Sequence, residues 1–409
     1  MRVLFTSWAW PTHYYQMVPL AWALRAAGHE VRAASSPSLS ATIAASGVPA
    51  VAVGDDSVDA VARIRDYIPG RAPTGTPGDR PTRAKGPRAV GLFADLATAM
   101  ADDLVAYCRA WRPDVIVYEP TAYAGPLAAA VLGVPAVRFP WGADLMHRAG
   151  AVELEREVMA PLCERFGLDG VDLLGSLTVD PCPAAMQVPA AEASRPIVRQ
   201  PVRPVPYNGS GSLPVPLPPA ERRRPRVCVT WGTTVGRLHD DMYLAPRIVA
   251  ALDSLDVGIV VAVAREQRHL LGAVPERVKV LESVPLHAVL PYCDAVVAHG
   301  GAGTILTSLA AGLPQLVVPQ LIDHTFNAQR FTATGAGLSL TKSEAEEPER
   351  IRTAVLELLE QPAYRKAAQE VRDEIELRPA PARIVDVLTG LAAAGPATPP
   401  STPPAEGGH

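Results

Sequence analysis

The sequence predicts an α/β architecture: two doubly wound parallel-sheet domains joined by a connector. Three observations predict it. The 409 residues suit two domains at roughly 100–200 residues each. Short apolar runs of strand length alternate with longer helical runs, the rhythm of successive βαβ units. That rhythm breaks off in a Pro-rich stretch at 181–220 and then starts again.

The first 35 residues read as β-α-β. Val3-Leu4-Phe5-Thr6 is an apolar run fit for a buried parallel strand. A helical stretch runs from about 13 to 27, and Gly28 follows it as a glycine past a helix end should. Pro19 lies inside that stretch, so the regular helix is expected to kink there or to begin near it. Residues 30–34 start the next strand. From about Asp55 to Arg88, Pro, Gly and basic residues accumulate, densest at 69–81, and the segment reads as a long mobile loop. A helix at 91–110, a strand at 114–118, a helix at 123–132 and a strand at 134–139 continue the sheet.

After the connector, strands are expected at 226–230, 258–263, 278–281, 295–298 and 315–319. Helices fall near 241–253, 286–291, 302–311 and 325–334, and residues 346–378 and 381–393 also look helical. The final stretch of Pro, Ala, Gly, Ser and Thr reads as a disordered tail. The division expected is a first domain at 1–204, a linker at 205–221, a second domain at 222–372, a C-terminal helix at 373–393 and a tail at 394–409.

Composition removes several function classes. Lys+Arg of 38 against Asp+Glu of 42 leaves a net charge of −4, without the basic excess of a nucleic-acid binder. With 48% hydrophobic and 20% charged residues, the chain can bury a large core. No apolar run approaches the ~18 residues of a membrane span. The N-terminus runs straight into a strand-like segment rather than a secretory apolar region. Five scattered cysteines suit reduced thiols, so a cytoplasmic location is expected, and no Cys/His spacing suggests zinc. Neither half carries GxGxxG after its first strand, nor GxxxxGK[ST]. That argues against a nicotinamide or flavin enzyme and against a P-loop NTPase.

The most informative stretch is Val296-Val297-Ala298-His299-Gly300-Gly301-Ala302-Gly303-Thr304. An apolar strand runs into His299, then small residues, then a helix. Glycines let the backbone approach a ligand closely, and the N–H groups of a helix N-terminus attract an anion. His299 can donate to a phosphate oxygen, and Thr304 can add its hydroxyl. A second loop, Thr230-Trp231-Gly232-Thr233-Thr234, ends the first strand of the same half. Ligands of open α/β sheets bind beyond the carboxyl ends of the strands, so both loops can reach one diphosphate. A turn that merely packs tightly is the competing reading for each.

The His-Gly-Gly-Ala-Gly-Thr run, with Pro314-Gln315 and Pro319-Gln320-Leu321-Ile322-Asp323-His324 downstream, resembles the donor half of GT-B nucleotide-sugar glycosyltransferases. Residues 1–37, with His13 ahead of Pro19-Leu20 and with Arg25-Ala26-Ala27-Gly28-His29-Glu30-Val31, resemble their acceptor half. Trp141-Gly142-Ala143-Asp144 and Val205-Pro206-Tyr207-Asn208-Gly209 are similar to the bacterial natural-product branch, which decorates polyketides with deoxysugars. The likeness covers about residues 1–390 and is poor over 55–90. It implies two Rossmann-like domains facing a central cleft, with the C-terminal helix packing back on the first. It also implies a TDP-linked sugar as co-substrate, with no cofactor proper and no resident metal. The partners it implies are an aglycone and the TDP-sugar, not nucleic acid or membrane; it leaves open a homodimer and an auxiliary activator protein.

By the same likeness Val284 and Pro285 lie against the nucleobase. His299, Gly301, Gly303 and Thr304 hold the diphosphate with Trp231, Gly232 and Thr233. Asp323 and His324 face the sugar hydroxyls. The family usually has Gln where this chain has His324. Asp323 has a competing reading as the cap of the following helix.

His13 lies beyond the first strand, again at a carboxyl end. An acceptor hydroxyl attacks an anomeric carbon only as its proton is removed, and a neutral imidazole can take it near neutral pH. A carboxylate on the other ring nitrogen would fix the tautomer and stabilise the imidazolium. Glu119, ending the 114–118 strand, is the candidate; an exposed loop carboxylate is the alternative. Asp144 is a second acid that could orient or deprotonate an acceptor, or else cap the segment after it. Trp8, Trp10, Tyr14, Tyr15, Phe93 and Trp141 gather on loops that would wall an apolar acceptor, though some belong to the core.

The expected reaction is a single inverting displacement with His13 as base, its leaving diphosphate stabilised by fixed N–H dipoles. No Asp-x-Asp pair is present to hold a metal beneath that diphosphate. The alternatives are a nucleotide-sugar epimerase or hydrolase on the same fold, or a non-catalytic nucleotide-sugar-binding accessory protein.

Overall fold

The computed structural model describes residues 1–66, 68, 87–213 and 224–395. Two parallel sheets organise them. The first has seven strands in the order β3-β2-β1-β4-β5-β6-β7. Its strands are β1 (Arg2–Thr6), β2 (Glu30–Ser35), β3 (Ala50–Ala52), β4 (Val115–Tyr118), β5 (Ala136–Arg138), β6 (Leu177–Asp180) and β7 (Arg199–Pro201). The second has six in the order β10-β9-β8-β11-β12-β13. These are β8 (Arg226–Thr230), β9 (Gly258–Val263), β10 (Lys279–Glu282), β11 (Ala295–Ala298), β12 (Gln315–Val317) and β13 (Gly337–Ser339).

Past the opening Arg2 and Arg226 of β1 and β8, the central strands are mostly apolar and buried, as helix-covered parallel strands must be. In each sheet the strand order reverses between two neighbours. The first reverses between β1 and β4, where Thr6 pairs with Tyr118. The second reverses between β8 and β11, where Thr230 pairs with Ala298. The residues just past those pairs therefore meet at the crevice of each domain.

The first helix (Pro11–Ala26) starts well before Pro19, which lies within it. Pro11 at its first turn supplies a preset φ and needs no hydrogen-bond partner there. Gly28 has φ 85°, and its N–H bonds back to Arg25. The expected 55–88 loop is interrupted by a helix at Ala60–Arg65, capped by the Asp59 carboxylate on the Ala62 N–H. Charged residues on an amphipathic turn had masked it. Residues 67 and 69–86 lie outside the described residues, as do 214–223 and 396–409, which include the expected tail. The 346–378 segment is two helices, Pro348–Glu360 and Pro362–Leu377, because Pro362 cannot continue the first. The Pro-rich 181–220 stretch contributes β7, an edge strand, where Pro201 costs the sheet no inner hydrogen bond.

The C-terminal helix (Pro381–Ala394) returns to the first sheet, where Ile384, Val385 and Leu388 join a core with Phe5, Val18 and Val117. The two sheets are tied elsewhere as well. Arg378 donates to the Asp180 carbonyl at 3.1 Å. Arg65 donates to the carbonyls of Arg237 and Leu238, each at 2.7 Å. The Arg237 guanidinium lies 5.5 Å over the Trp10 ring. Among the described residues, no helix is long and apolar enough to cross a membrane.

Candidate active site

A cleft of about 990 Å³ opens between the carboxyl ends of the two sheets. Its first wall is built on β1 and β4. Past Thr6 the chain turns into the Pro11–Ala26 helix, which sets His13 in its first turn. Past Tyr118 comes Glu119, whose N–H bonds to the Thr6 carbonyl at 3.4 Å. His13 Nδ1 and Glu119 Oε2 are consequently 3.3 Å apart, an ion-pair distance without the alignment of a hydrogen bond.

Glu119 is not an exposed loop carboxylate; it is 0% exposed. Thr121 satisfies it, with the N–H at 2.9 Å from Oε2 and the hydroxyl within 2.9 Å of both oxygens. The Trp8 indole N–H in turn fixes the Thr121 hydroxyl at 2.8 Å. The Trp141 ring stacks on the His13 imidazole, 3.9 Å between centroids and 5° from parallel. The imidazole is thus held on one face by an aromatic ring and backed by a buried charge.

Trp8, Trp10, Tyr15, Phe93 and Trp141 line the cleft, together with Ile64, Ile68 and Leu92. Tyr14 does not. It points into the core, with its hydroxyl 2.7 Å from the Ser46 hydroxyl, and burial pushes its pKa up. Asp144 is also misplaced by the sequence. Both of its oxygens are taken by Arg138, Nη2 to Oδ1 at 2.8 Å and Nη1 to Oδ2, and this buried pair lies off the cleft lining. A carboxylate so engaged supports the wall and is not free to accept an acceptor's proton. Nor does its side chain cap the segment after it.

The second wall is built on β8 and β11. His299 follows Ala298, and the Ala302–Ala310 helix starts just after it, with Gly301 in the cap position. Gly232, with φ 60°, faces it from the β8 loop. A Cβ on Gly232 would lie 2.5 Å from His299 Cε1, and one on Gly301 would lie 2.4 Å from His299 Nε2. Both glycines therefore exist to let the imidazole sit between two backbone loops. Thr233, Val284, Gly303, Thr304, Asp323 and His324 also line the cleft.

Trp231 does not line it. Its indole is fully buried and donates to the Met242 carbonyl at 2.8 Å, so its role is to anchor the loop. Asp323 is not a cap; it lies within the first turn of the Ile322–Thr332 helix, whose cap position is Leu321. His324 is buried in the same turn, in edge-to-face contact with His299 at 4.9 Å. Burial, and then the neighbouring His324, hold the His299 pKa well below its ordinary value. Burial lowers that of His324 too, with Asp323 opposing it.

Several cleft residues escaped the sequence. Asn208, from the connector, accepts from the His287 N–H at 3.0 Å and donates to the Thr307 hydroxyl at 3.1 Å, closing the floor of the cleft. Its motif had been noticed, but its partners are far away in sequence. Gln16 reaches across to the second wall, where its Nε2 would be 3.0 Å from a Cβ on Gly303. Ser283 takes φ 52° at the end of β10, aiming Val284 at the cleft. No glycine flagged that turn. Among the described residues, no three His, Cys, Asp or Glu side chains gather as metal ligands do.

Comparison with known proteins places this geometry in context. Residues 22–232 match the family described as erythromycin biosynthesis protein CIII-like, N-terminal domain, and residues 246–391 match its C-terminal domain. The chain is 37% identical to a 10-deoxymethynolide desosaminyltransferase of Streptomyces venezuelae, over 96% of this chain and 97% of that one. It is 38% identical to an aklavinone 7-beta-L-rhodosaminyltransferase of Streptomyces galilaeus, over 96% of each. Among solved structures, Spinosyn Rhamnosyltransferase SpnG matches with a TM-score of 0.79 at 33% identity, covering 95% of this chain and all 100% of that one. The chain belongs to the erythromycin biosynthesis protein CIII-like family, and it is a glycosyltransferase of GT-B fold.

Proposed function

We propose that this glycosyltransferase moves a deoxysugar from a TDP-sugar to a hydroxyl of an apolar, polyketide-type aglycone by one inverting displacement. His13 takes the acceptor proton as the oxygen attacks the anomeric carbon. Glu119 orients the ring and stabilises the imidazolium. The diphosphate departs into the loops around Gly232, Thr233, His299, Gly301 and Thr304, where N–H dipoles are already in place for the developing charge. Those donors take the part that a divalent cation would otherwise play, so turnover needs no metal.

The observation that carries this reading is the opposition of His13, backed by buried Glu119, to the glycine-flanked His299 across one cleft. The apolar first wall supports a large hydrophobic acceptor. The names of the relatives support it too: their acceptors are 10-deoxymethynolide and aklavinone, and SpnG has been solved with thymidine diphosphate and with spinosyn aglycone.

The test is thermal-shift titration with TDP and UDP, followed by product analysis with a panel of aglycones and TDP-deoxysugars. At about 100 Kd of ligand, TDP should add about 2.7 kcal/mol of stability. It should do so at lower concentration than UDP, and glycoside should form without added metal. Sugar release from the donor alone, at an equal rate with and without aglycone, would instead mark a nucleotide-sugar hydrolase.

A further inference from the structure

The second wall carries a buried imidazole that the displacement does not use. His324 lies 4.9 Å from His299, ring planes 75° apart, and both are almost wholly buried. His299 is held by the Thr230 backbone, whereas Nδ1 of His324 is buried and lacks a hydrogen-bond partner. An unpartnered buried polar atom is costly, and His324, which lines the anion cradle, is left with one; a ligand there can complete its set. Two imidazolium ions cannot coexist so close together in a water-poor site, so at most one proton is accommodated.

The surrounding charges choose between the rings. Asp323 Oδ2 lies 3.8 Å from His324 Nε2 and favours its protonated form, whereas among the described residues no carboxylate pairs with His299, whose ring is held by the neutral Thr230 backbone. On the same helix as His324, Arg330 turns toward Glu192 at 3.9 Å. Lys342 lies 4.0 Å from Asp241, and the other ionisable side chains on the cleft lining are His13, Glu266 and the phenols of Tyr15 and Tyr207.

We propose that His324 takes up a proton when a nucleoside diphosphate enters the cradle, so that the leaving group is held by an imidazolium formed only in the liganded state. His299 stays neutral between the glycines. The proton comes from bulk buffer, forms the second N–H of His324 and leaves when the diphosphate does; no bond of the ligand breaks. In the empty site burial keeps His324 neutral, which spares the protein an isolated buried charge. The inference rests on the reading above that this cradle is the diphosphate site.

The test is calorimetric titration of TDP in buffers of different ionisation enthalpy, at about pH 8, where the terminal phosphate of free TDP has already lost its last proton. The intact enzyme should take up close to one proton per TDP. His324→Gln should take up almost none, and Asp323→Asn an intermediate amount. Thymidine, which has no phosphate, should cause no uptake. Affinity for TDP should weaken as pH rises in the intact enzyme and stay flat in His324→Gln, a difference that a purely packing role for His324 would not produce. TDP binding without proton uptake by the intact enzyme would overturn the inference and leave the proposed function standing. So would equal uptake by His324→Gln. Failure of TDP to bind at all would instead overturn the reading of the cradle. If His324→Gln does not fold, unchanged uptake by Asp323→Asn overturns the inference by itself.

Discussion

The two walls of the cleft each present a histidine just past the reversal point of a parallel sheet, and the surroundings of the two rings differ. His13 has a wholly buried carboxylate 3.3 Å behind it and an aromatic ring stacked on its face. His299 has glycine loops on its Nε2 edge and a second imidazole beside it. The carboxylate supports a ring that must become positive as it takes a proton. The glycines and the helix N-terminus instead let backbone N–H groups approach a ligand that brings its own negative charge. The same side chain, set past β1 on one wall and past β11 on the other, is thereby suited to proton transfer on the first and to anion binding on the second.

The comparison breaks if the two histidines prove interchangeable. His13→Ala should lower kcat by about 10²–10⁴, the usual worth of a positioned general base, while TDP affinity keeps its parental value. Glu119→Gln should give a smaller loss of the same kind, since the ring remains but the charge behind the imidazolium is gone. Single-turnover rates together with TDP titration measure both quantities. A His13→Ala enzyme that turns over normally would remove this residue from the chemistry.

Gly301→Ala addresses the opposite wall. Its new Cβ would press on His299 at 2.4 Å, so the ring or the loop must shift away from the anion. A charge-assisted hydrogen bond is worth about 1.5–3 kcal/mol, so TDP should bind at least about tenfold more weakly. Binding of aglycone alone should be unaffected. Unaltered TDP affinity would show that the glycine spacing serves packing only.

Much of both walls was legible in the sequence because strand ends at a parallel-sheet switch point follow from apolar runs alone. The orientation of individual side chains was not. Trp231 and Gly232 are neighbours in a loop whose position was correctly read, yet one is fully buried in the core and the other faces the cleft. That alternation depends on how the loop leaves β8. Asp144 looked free because its partner, Arg138, sits at the end of a strand where a buried arginine is unexpected. Ser283 adopts a backbone conformation that sequence reading reserves for glycine, so its turn left no mark. Asn208 was visible as a motif, but its role required knowing that Thr307 and His287 converge on it.

A buried carboxylate of the first domain away from the cleft lining, on the Ala151–Arg165 helix, gives a contrast to Glu119. Glu155 is buried like Glu119, but among the described residues it accepts the Tyr123 hydroxyl, at 2.8 Å, and no backbone N–H. Burial pushes its pKa up to about 7, with Tyr123 and Arg138 opposing the shift. A carboxyl whose folded pKa is raised contributes stability that is fully present below its unfolded value. That contribution is lost as pH rises through about 7. The parent should therefore lose on the order of 2–3 kcal/mol between about pH 4.5 and pH 7 from this group, and little more above that range. Glu155→Gln keeps an acceptor for Tyr123 and cannot ionise. Its melting temperature should fall less across that window, ending a few degrees above the parent at about pH 8. Parallel melting curves for the two proteins across the window would mean that Glu155 ionises without cost to the fold.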